Sequence, residues 1–216
     1  MHTSVVTGRS ELLASFLRDD PDLPVVIQLE THDPGLFQEY VNCLHHGPQA
    51  LQQGAEASVG KADANTDDNT SDEDQAVADL VLEKFIELYI LAMELIDLKT
   101  ANMIIGEIIL ASDSFGCIPT QGPVSLAYAS TAKGDPLRTL LRDFWVYRSA
   151  STETDSECLR TAGFPAECVQ DIAIELLDIA KLHFTDFDKV FKDLCSDDLC
   201  RYHNHNEMHP ECVDTE

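Results

Sequence analysis

Positive charge is what this sequence lacks most. Its 216 residues include 14 lysines and arginines against 39 aspartates and glutamates, and the formal net charge is −25 at pH 7. Proteins bind nucleic-acid backbones and anionic membrane surfaces through Lys and Arg, so we expect neither as a ligand. A chain this acidic favours basic protein partners instead.

Signals of several protein classes are also missing. No N-terminal stretch has the basic, apolar and small-residue order of a secretory signal, and no uncharged apolar run reaches the length of a membrane span. The seven cysteines are odd in number and scattered. Without a signal this predicts reduced thiols and a cytoplasmic or nuclear location. No Gly-rich phosphate loop, nucleophile elbow or metalloprotease motif occurs, so we expect no enzyme.

The most apolar stretch, residues 80–111, organises the predicted fold. Its first part, to Leu98, repeats with helical period. Four acidic residues fall on one stripe of that helix: Glu83, Glu87, Glu94 and Asp97. Because nearly all other positions are apolar, the helix must be covered on most sides. Thr100 is the predicted N-cap of a second helix, over residues 101–111.

Most of the remaining chain is predicted as helices that cover this pair. Residues 25–29 form the only clear predicted strand. Asp33-Pro34 predicts a helix that stops at Gly47-Pro48. Further helices are predicted over residues 124–132, 136–148, 166–184 and 186–194, and Trp145 is expected in the core. Seven apolar residues of the helix after Pro165 are expected to be buried: Val169, Ile172, Ile174, Leu176, Leu177, Ile179 and Leu182.

An acidic, polar segment interrupts this pattern over about residues 48–79. Six acidic residues and no aromatic residue occur between Asp63 and Asp74. Such a composition buries too little apolar surface to fold, so we predict a disordered insertion that acts as a solvated loop. The alternatives are a segment that attracts basic partners electrostatically or a phosphorylation site around Thr70-Ser71.

The last 22 residues, 195–216, form a polar tail rich in Cys and His. Zinc requires four thiolate or imidazole ligands, and the tail offers one candidate set: Cys200, His203, His205 and Cys212. The spacing matches no strong zinc template. The alternatives are a polar tail without a metal, or a tail that packs on the domain with Tyr202 as its anchor. Zinc is the only cofactor that the residues suggest.

A series of short segments resembles the BTB/POZ domain of fungal proteins. The series consists of the residues around His2, Arg9-Ser10 and Phe16, the strand Val26-Ile27-Gln28-Leu29, the helix from Asp33-Pro34 to Leu44, and the helix pair from Leu88 to Ile105. The stretch from Gly134-Asp135-Pro136 to Asp143 and the tail Cys200-Arg201-Tyr202-His203 are similar to the C-terminal extension of these proteins. The family's β-hairpin ahead of the His2 segment has no counterpart.

The resemblance implies an α+β, mainly α-helical fold with an N-terminally incomplete BTB/POZ-like core. The corresponding division is a core over residues 1–111, a helical extension over 112–194 and the tail. It also implies a non-catalytic adaptor or scaffold that forms homodimers or binds a cullin-type ubiquitin ligase or a transcriptional regulator. A zinc-binding module is the alternative function. Six residues are expected to pack the core rather than form a site: Phe37, Tyr40, Leu88, Tyr89, Ala92 and Leu95.

Overall fold

The protein is described here by a computed structural model. The structure describes residues 10, 12–15, 33–47, 70–148, 163–182 and 199–206. After a helical turn at residues 12–15, six α-helices follow in this order: α1 (Pro34–His46), α2 (Thr70–Glu94), α3 (Leu98–Phe115), α4 (Gln121–Ser130), α5 (Pro136–Asp143) and α6 (Ala166–Leu182). A π-helical turn, Phe144–Arg148, continues α5, and a 3-10 turn, Leu199–Tyr202, lies near the C-terminus. The described part is mainly helical and contains no strand.

The helices α2 and α3 pack against each other and form the centre of the molecule. From Leu82 to Ala92, α2 is apolar on several sides, and its buried residues include Ile86, Leu88 and Leu91 at 0% exposure. On α3, Ile104, Ile105 and Ile108 are equally buried. Of the six predicted packing residues, five are fully buried and Phe37 is partly buried. The prediction of a covered core helix is confirmed.

The N-terminal part of α2 corrects the predicted extent of the insertion. Residues 70–79 belong to the helix, although they fall within the predicted disordered stretch. Gln75 Nε2 donates to the carbonyl of Ile118 at 3.2 Å, and the Asp79 carboxylate accepts from Thr120 N at 3.2 Å and Thr120 Oγ1 at 2.5 Å. These bonds attach the N-terminal part of α2 to the loop between α3 and α4. Residues 48–69 lie outside the described residues.

The turn between α2 and α3 contains the true N-cap of α3. The Asp97 carboxylate accepts from Thr100 N at 3.0 Å, so Asp97 caps the helix and the prediction of Thr100 was wrong. Asp97 is fully buried, and its carboxylate also accepts from Thr100 Oγ1 at 2.6 Å and from Tyr40 Oη at 2.9 Å. This carboxylate therefore joins α1 to the central pair. The residue before it, Ile96, has φ 54°, a left-handed conformation that is strained for a β-branched side chain.

The later helices complete the same core. Asp135 caps α5 by accepting from Leu137 N at 2.9 Å, and Pro136 occupies the first turn. The π-helical turn that follows buries Phe144, Trp145, Val146 and Tyr147 in succession. The expectation of a buried Trp145 is confirmed; its indole donates to the carbonyl of Pro119 at 2.9 Å.

One hydrophobic cluster runs through all the described helices, from Leu13 to Tyr202. The predicted boundary after residue 111 falls inside α3, which continues to Phe115, and residues from both sides of it share the cluster. The predicted strand at residues 25–29 and the predicted helix at 186–194 lie outside the described residues. No described helix is both long and apolar enough to cross a membrane.

Candidate functional site

Residues 199–206, which we call the C-terminal strap, contact side chains of α2, α3, α5 and α6. The segment begins with the 3-10 turn and continues without helix from His203 to Asn206. Tyr202 is fully buried, and its hydroxyl donates to Asp143 Oδ2 at 3.0 Å. For residues 199–206 the structure agrees with the alternative interpretation of the tail, in which it packs on the domain with Tyr202 as its anchor.

The Asp143 carboxylate is the buried acceptor at the centre of the strap's contacts. It is the last residue of α5 before the π-helical turn, and its exposure is 0%. Arg142 Nη2 donates to one of its oxygens at 2.6 Å, and Arg201 Nε donates to the other at 2.9 Å. Burial raises the pKa of Asp143, while the guanidinium groups of Arg142 and Arg201 oppose that rise. The same ion pair raises the pKa of Arg201, although burial alone would lower it.

A second carboxylate, Glu175 on α6, extends this charge cluster. It accepts from Tyr147 Oη at 3.0 Å and forms ion pairs with Arg142 at 3.2 Å and Arg201 at 3.4 Å. The cluster thus holds two carboxylates and two guanidinium groups in a partly buried site. Such charge-assisted bonds have stricter geometry than exposed pairs, so they specify where the strap lies.

Two asparagines hold the far end of the strap. Asn102 Oδ1 accepts from the main-chain N–H of Asn204 at 2.7 Å, and Asn102 Nδ2 donates to the main-chain carbonyl of Asn204 at 2.9 Å. The Asn204 side chain donates to Tyr89 Oη at 2.8 Å, and that hydroxyl donates to Asp135 at 2.8 Å. The strap therefore lies in a groove, here called the strap groove, that binds both its main chain and its side chains. The groove is lined by Tyr89, Asn102, Asp143 and Glu175.

The residues of the predicted zinc site are only partly within the described chain. Cys200, His203 and His205 lie in the strap, with the two imidazole centroids 6.0 Å apart, whereas Cys212 lies outside the described residues. Among described residues, no group of three or more His, Cys, Asp or Glu side chains is arranged to hold a metal ion. Zinc binding stays a prediction. Stoichiometric metal that survives dialysis, and is lost in Cys200→Ser, would support it.

Two cysteines in the described helices are buried thiols. Burial raises the pKa of Cys43 to about 12 and that of Cys168 to about 11. A thiol is nucleophilic as its thiolate, which these values make rare at neutral pH. Both residues therefore behave as small apolar side chains.

The exposed side of α6 contradicts the predicted burial of that helix. Ile172 and Ile179 are buried, but four others are exposed: Val169 (48%), Ile174 (49%), Leu176 (42%) and Leu177 (65%). At 100° per residue, positions 169, 173, 176 and 177 span about 100° of the helix surface. These residues, Val169, Ala173, Leu176 and Leu177, form what we call the α6 apolar face. Apolar residues occupy more of α6 than the core covers.

Sequence reasoning did not single out most residues of the strap groove. Asp143 and Glu175 resemble any acidic residue on a helical pattern, and their burial depends on Arg142 and Arg201 approaching from different segments. Asn102 belongs to an apolar helix, where a lone amide is the one available signal of a buried polar partner.

Three comparisons with known proteins were made. The chain matches no protein-family model, no curated protein and no solved structure.

Proposed function

We propose that the chain is a non-catalytic protein–protein interaction module, an adaptor or scaffold, that binds its partner through the α6 apolar face. The observation that carries this proposal is the exposure of Leu176 and Leu177 at 42% and 65% on a helix whose opposite side is buried in the core. Exposed apolar side chains that share one helix face are a common feature of interaction surfaces. An amphipathic helix is a suitable partner, because its apolar residues can align along such a face.

Charge favours a basic partner over a second copy. The charge that matters here is that of the whole chain, because Glu167 and Glu175 on α6 are already paired with arginines of this chain. Two copies would each bring a net charge of −25, and that repulsion opposes self-association through this face. Lysine or arginine beside the partner's apolar residues would instead be attracted. We therefore infer an amphipathic segment with basic flanks as the ligand of the α6 apolar face.

The resemblance to BTB/POZ proteins supports the same functional class. It would make the partner a component of a cullin-type ubiquitin ligase or a transcriptional regulator.

A peptide titration tests the proposal directly. The probe is a labelled 18-residue helix with leucines on one face and lysines on the other, and fluorescence anisotropy reports its binding. We expect wild-type protein to bind it, and Leu176→Asp and Leu177→Asp each to weaken binding about tenfold or more, because a charge is placed in the apolar contact. Leu110→Asp on α3 is the matched control, since Leu110 is 53% exposed on another helix.

Two results would contradict the proposal. One is that Leu110→Asp weakens binding as much as the α6 variants do. The other is equal binding of a peptide with the same composition in scrambled order, which would show that charge alone attracts the probe. Size-exclusion chromatography with light scattering on the same variants checks self-association. A dimer that Leu176→Asp dissociates would assign the face to a second copy and overturn the choice of a basic partner.

A further inference from the structure

The C-terminal strap is held in the way that a protein holds a short peptide ligand. Within residues 203–206 there is no helix. The bonds that fix the segment come from side chains on α2, α3, α5 and α6. Arg201 and Tyr202 lie in the 3-10 turn that precedes this segment. Peptide-binding sites use the same division of labour, in which the receptor supplies pockets and polar groups for a short segment of the ligand.

The groove distinguishes three positions of the segment. The first takes a guanidinium, because Arg201 lies between the carboxylates of Asp143 and Glu175. The second takes a phenol, because the Tyr202 ring is fully buried and its hydroxyl reaches Asp143. The third, two residues later, takes an asparagine, whose main chain binds Asn102 and whose amide binds Tyr89. The recognised pattern is Arg-Tyr-x-Asn.

Chain connectivity does not require the strap to stay in place. Sixteen residues, 183–198, join the end of α6 to the strap. A chain of that length spans at most about 55 Å when fully extended. Its length alone therefore does not fix the strap in the groove, and a segment of another chain could take the same place.

The downstream end of the strap is an imperfect fit. His205 Nε2 is buried and, within the described part of the chain, has no hydrogen-bond partner. This unsatisfied nitrogen weakens the hold of this chain's own segment without affecting the Arg, Tyr and Asn positions. Another chain could satisfy the same three positions without His205.

We infer that the strap groove is a peptide-binding site for Arg-Tyr-x-Asn segments of other polypeptide chains, and that the chain's own strap occupies it in competition with them. The inference is independent of the α6 apolar face. The linked strap competes at an effective concentration of about 1 mM. If the strap segment itself binds the groove with a dissociation constant of about 10 μM, it would weaken the binding of any competing segment by about 100-fold.

The test uses the full chain with a specific protease site inserted within residues 183–198. After cleavage, the strap is no longer linked to α6. The probe is a fluorescein-labelled peptide of residues 199–206 carrying Cys200→Ser, and anisotropy reports its binding. We expect the cleaved protein, after the released fragment has been diluted, to bind the probe at least about tenfold more tightly than uncleaved protein.

Matched peptides and receptor variants show whether the groove is the site. Peptides with Arg201→Lys, Tyr202→Phe or Asn204→Ala are each expected to bind about five- to tenfold more weakly, because each loses bonds at one position. Asn102→Ala in the cleaved protein is expected to weaken the wild-type peptide similarly. Equal affinity of all four peptides would overturn the inference. So would a cleaved protein that, even in large excess over the probe, does not raise the anisotropy of the probe.

A second variant covers the case in which cleavage damages the protein. Tyr202→Ala in the uncleaved chain removes the strap's anchor while keeping every covalent link. It should bind the wild-type peptide more tightly than the unaltered chain does, because its own segment competes less well. If neither the cleaved protein nor Tyr202→Ala gains affinity for the peptide, the inference is wrong.

Discussion

The α2–α3 pair and the C-terminal strap are held by opposite means. In the pair, Leu88, Leu91 and Ile104 are buried among other apolar side chains, and no individual polar contact determines their position. In the strap, each of three residues is positioned by hydrogen bonds or ion pairs to named side chains. Hydrophobic burial is non-directional, whereas hydrogen bonds and ion pairs depend on geometry. The first region supplies stability, and the second supplies specificity.

The largest loss of stability should come from a cavity in the apolar core of the α2–α3 pair. Leu88→Ala removes a fully buried side chain and should lower the free energy of unfolding by about 2–5 kcal/mol. Leu80→Ala on the same helix is the control, because Leu80 is 68% exposed and its loss should change stability by less than about 0.5 kcal/mol. Urea denaturation measures both. Equal effects would mean that α2 is not the core helix.

Neutralising the buried carboxylate should affect the strap first. Asp143→Asn keeps the shape but weakens the charge-assisted bonds from Arg142, Arg201 and Tyr202, at a cost of about 1.5–3 kcal/mol. We expect faster amide hydrogen exchange in residues 199–206 and little change in the middle of α2. Glu87→Gln, at an exposed position of α2, is the control. Unchanged exchange in the strap would contradict the role assigned to Asp143.

The contrast between the two regions also explains what the sequence could predict. Apolar periodicity located α2 and α3, and Asp33-Pro34 and Asp135-Pro136 located two helix starts, because these signals are local. Asp97 was expected on the acidic stripe of the first helix, yet it is buried after the end of α2, where Tyr40, 57 residues away, donates to it. Leu177 was expected in the core, because composition marks a residue as apolar without showing what covers it. The sequence indicated Tyr202 as a possible anchor of the tail, but it did not indicate that Asp143 is its partner.

A smaller effect of opposite sign is expected at the turn between α2 and α3. Ile96→Gly removes the strain of a β-branched residue at φ 54° and should stabilise the protein by about 0.5–1 kcal/mol. Gly116→Ala is the matched control at the end of α3, where φ is 62°, and it should destabilise by about 1 kcal/mol. Thermal unfolding of both variants provides the comparison. A loss of stability in Ile96→Gly would show that the Ile96 side chain is needed for packing.

The smallest effect concerns pH and the strap alone. The pKa of His203 is lowered from its ordinary value of 6.5, first by burial and then by His205, so the docked strap binds a proton less readily than the released strap. Docking is therefore strongest above pH 6.5 and weakens as the pH falls through that value, by less than about tenfold per pH unit since the side chain is half-buried. Hydrogen exchange of residues 199–206, corrected for the intrinsic rate at pH 7.5 and 5.5, measures the change.

His203→Gln is the variant that isolates this titration. It cannot take up a proton, so strap protection should become nearly independent of pH between 7.5 and 5.5. At the lower pH where Asp143 takes up a proton, both proteins should lose protection together, because the Arg201 guanidinium favours the Asp143 carboxylate, and so lowers its pKa, only while the strap is docked. If His203→Gln keeps the full pH dependence above 5.5, another group controls docking, and the strap is held by its carboxylate contacts alone.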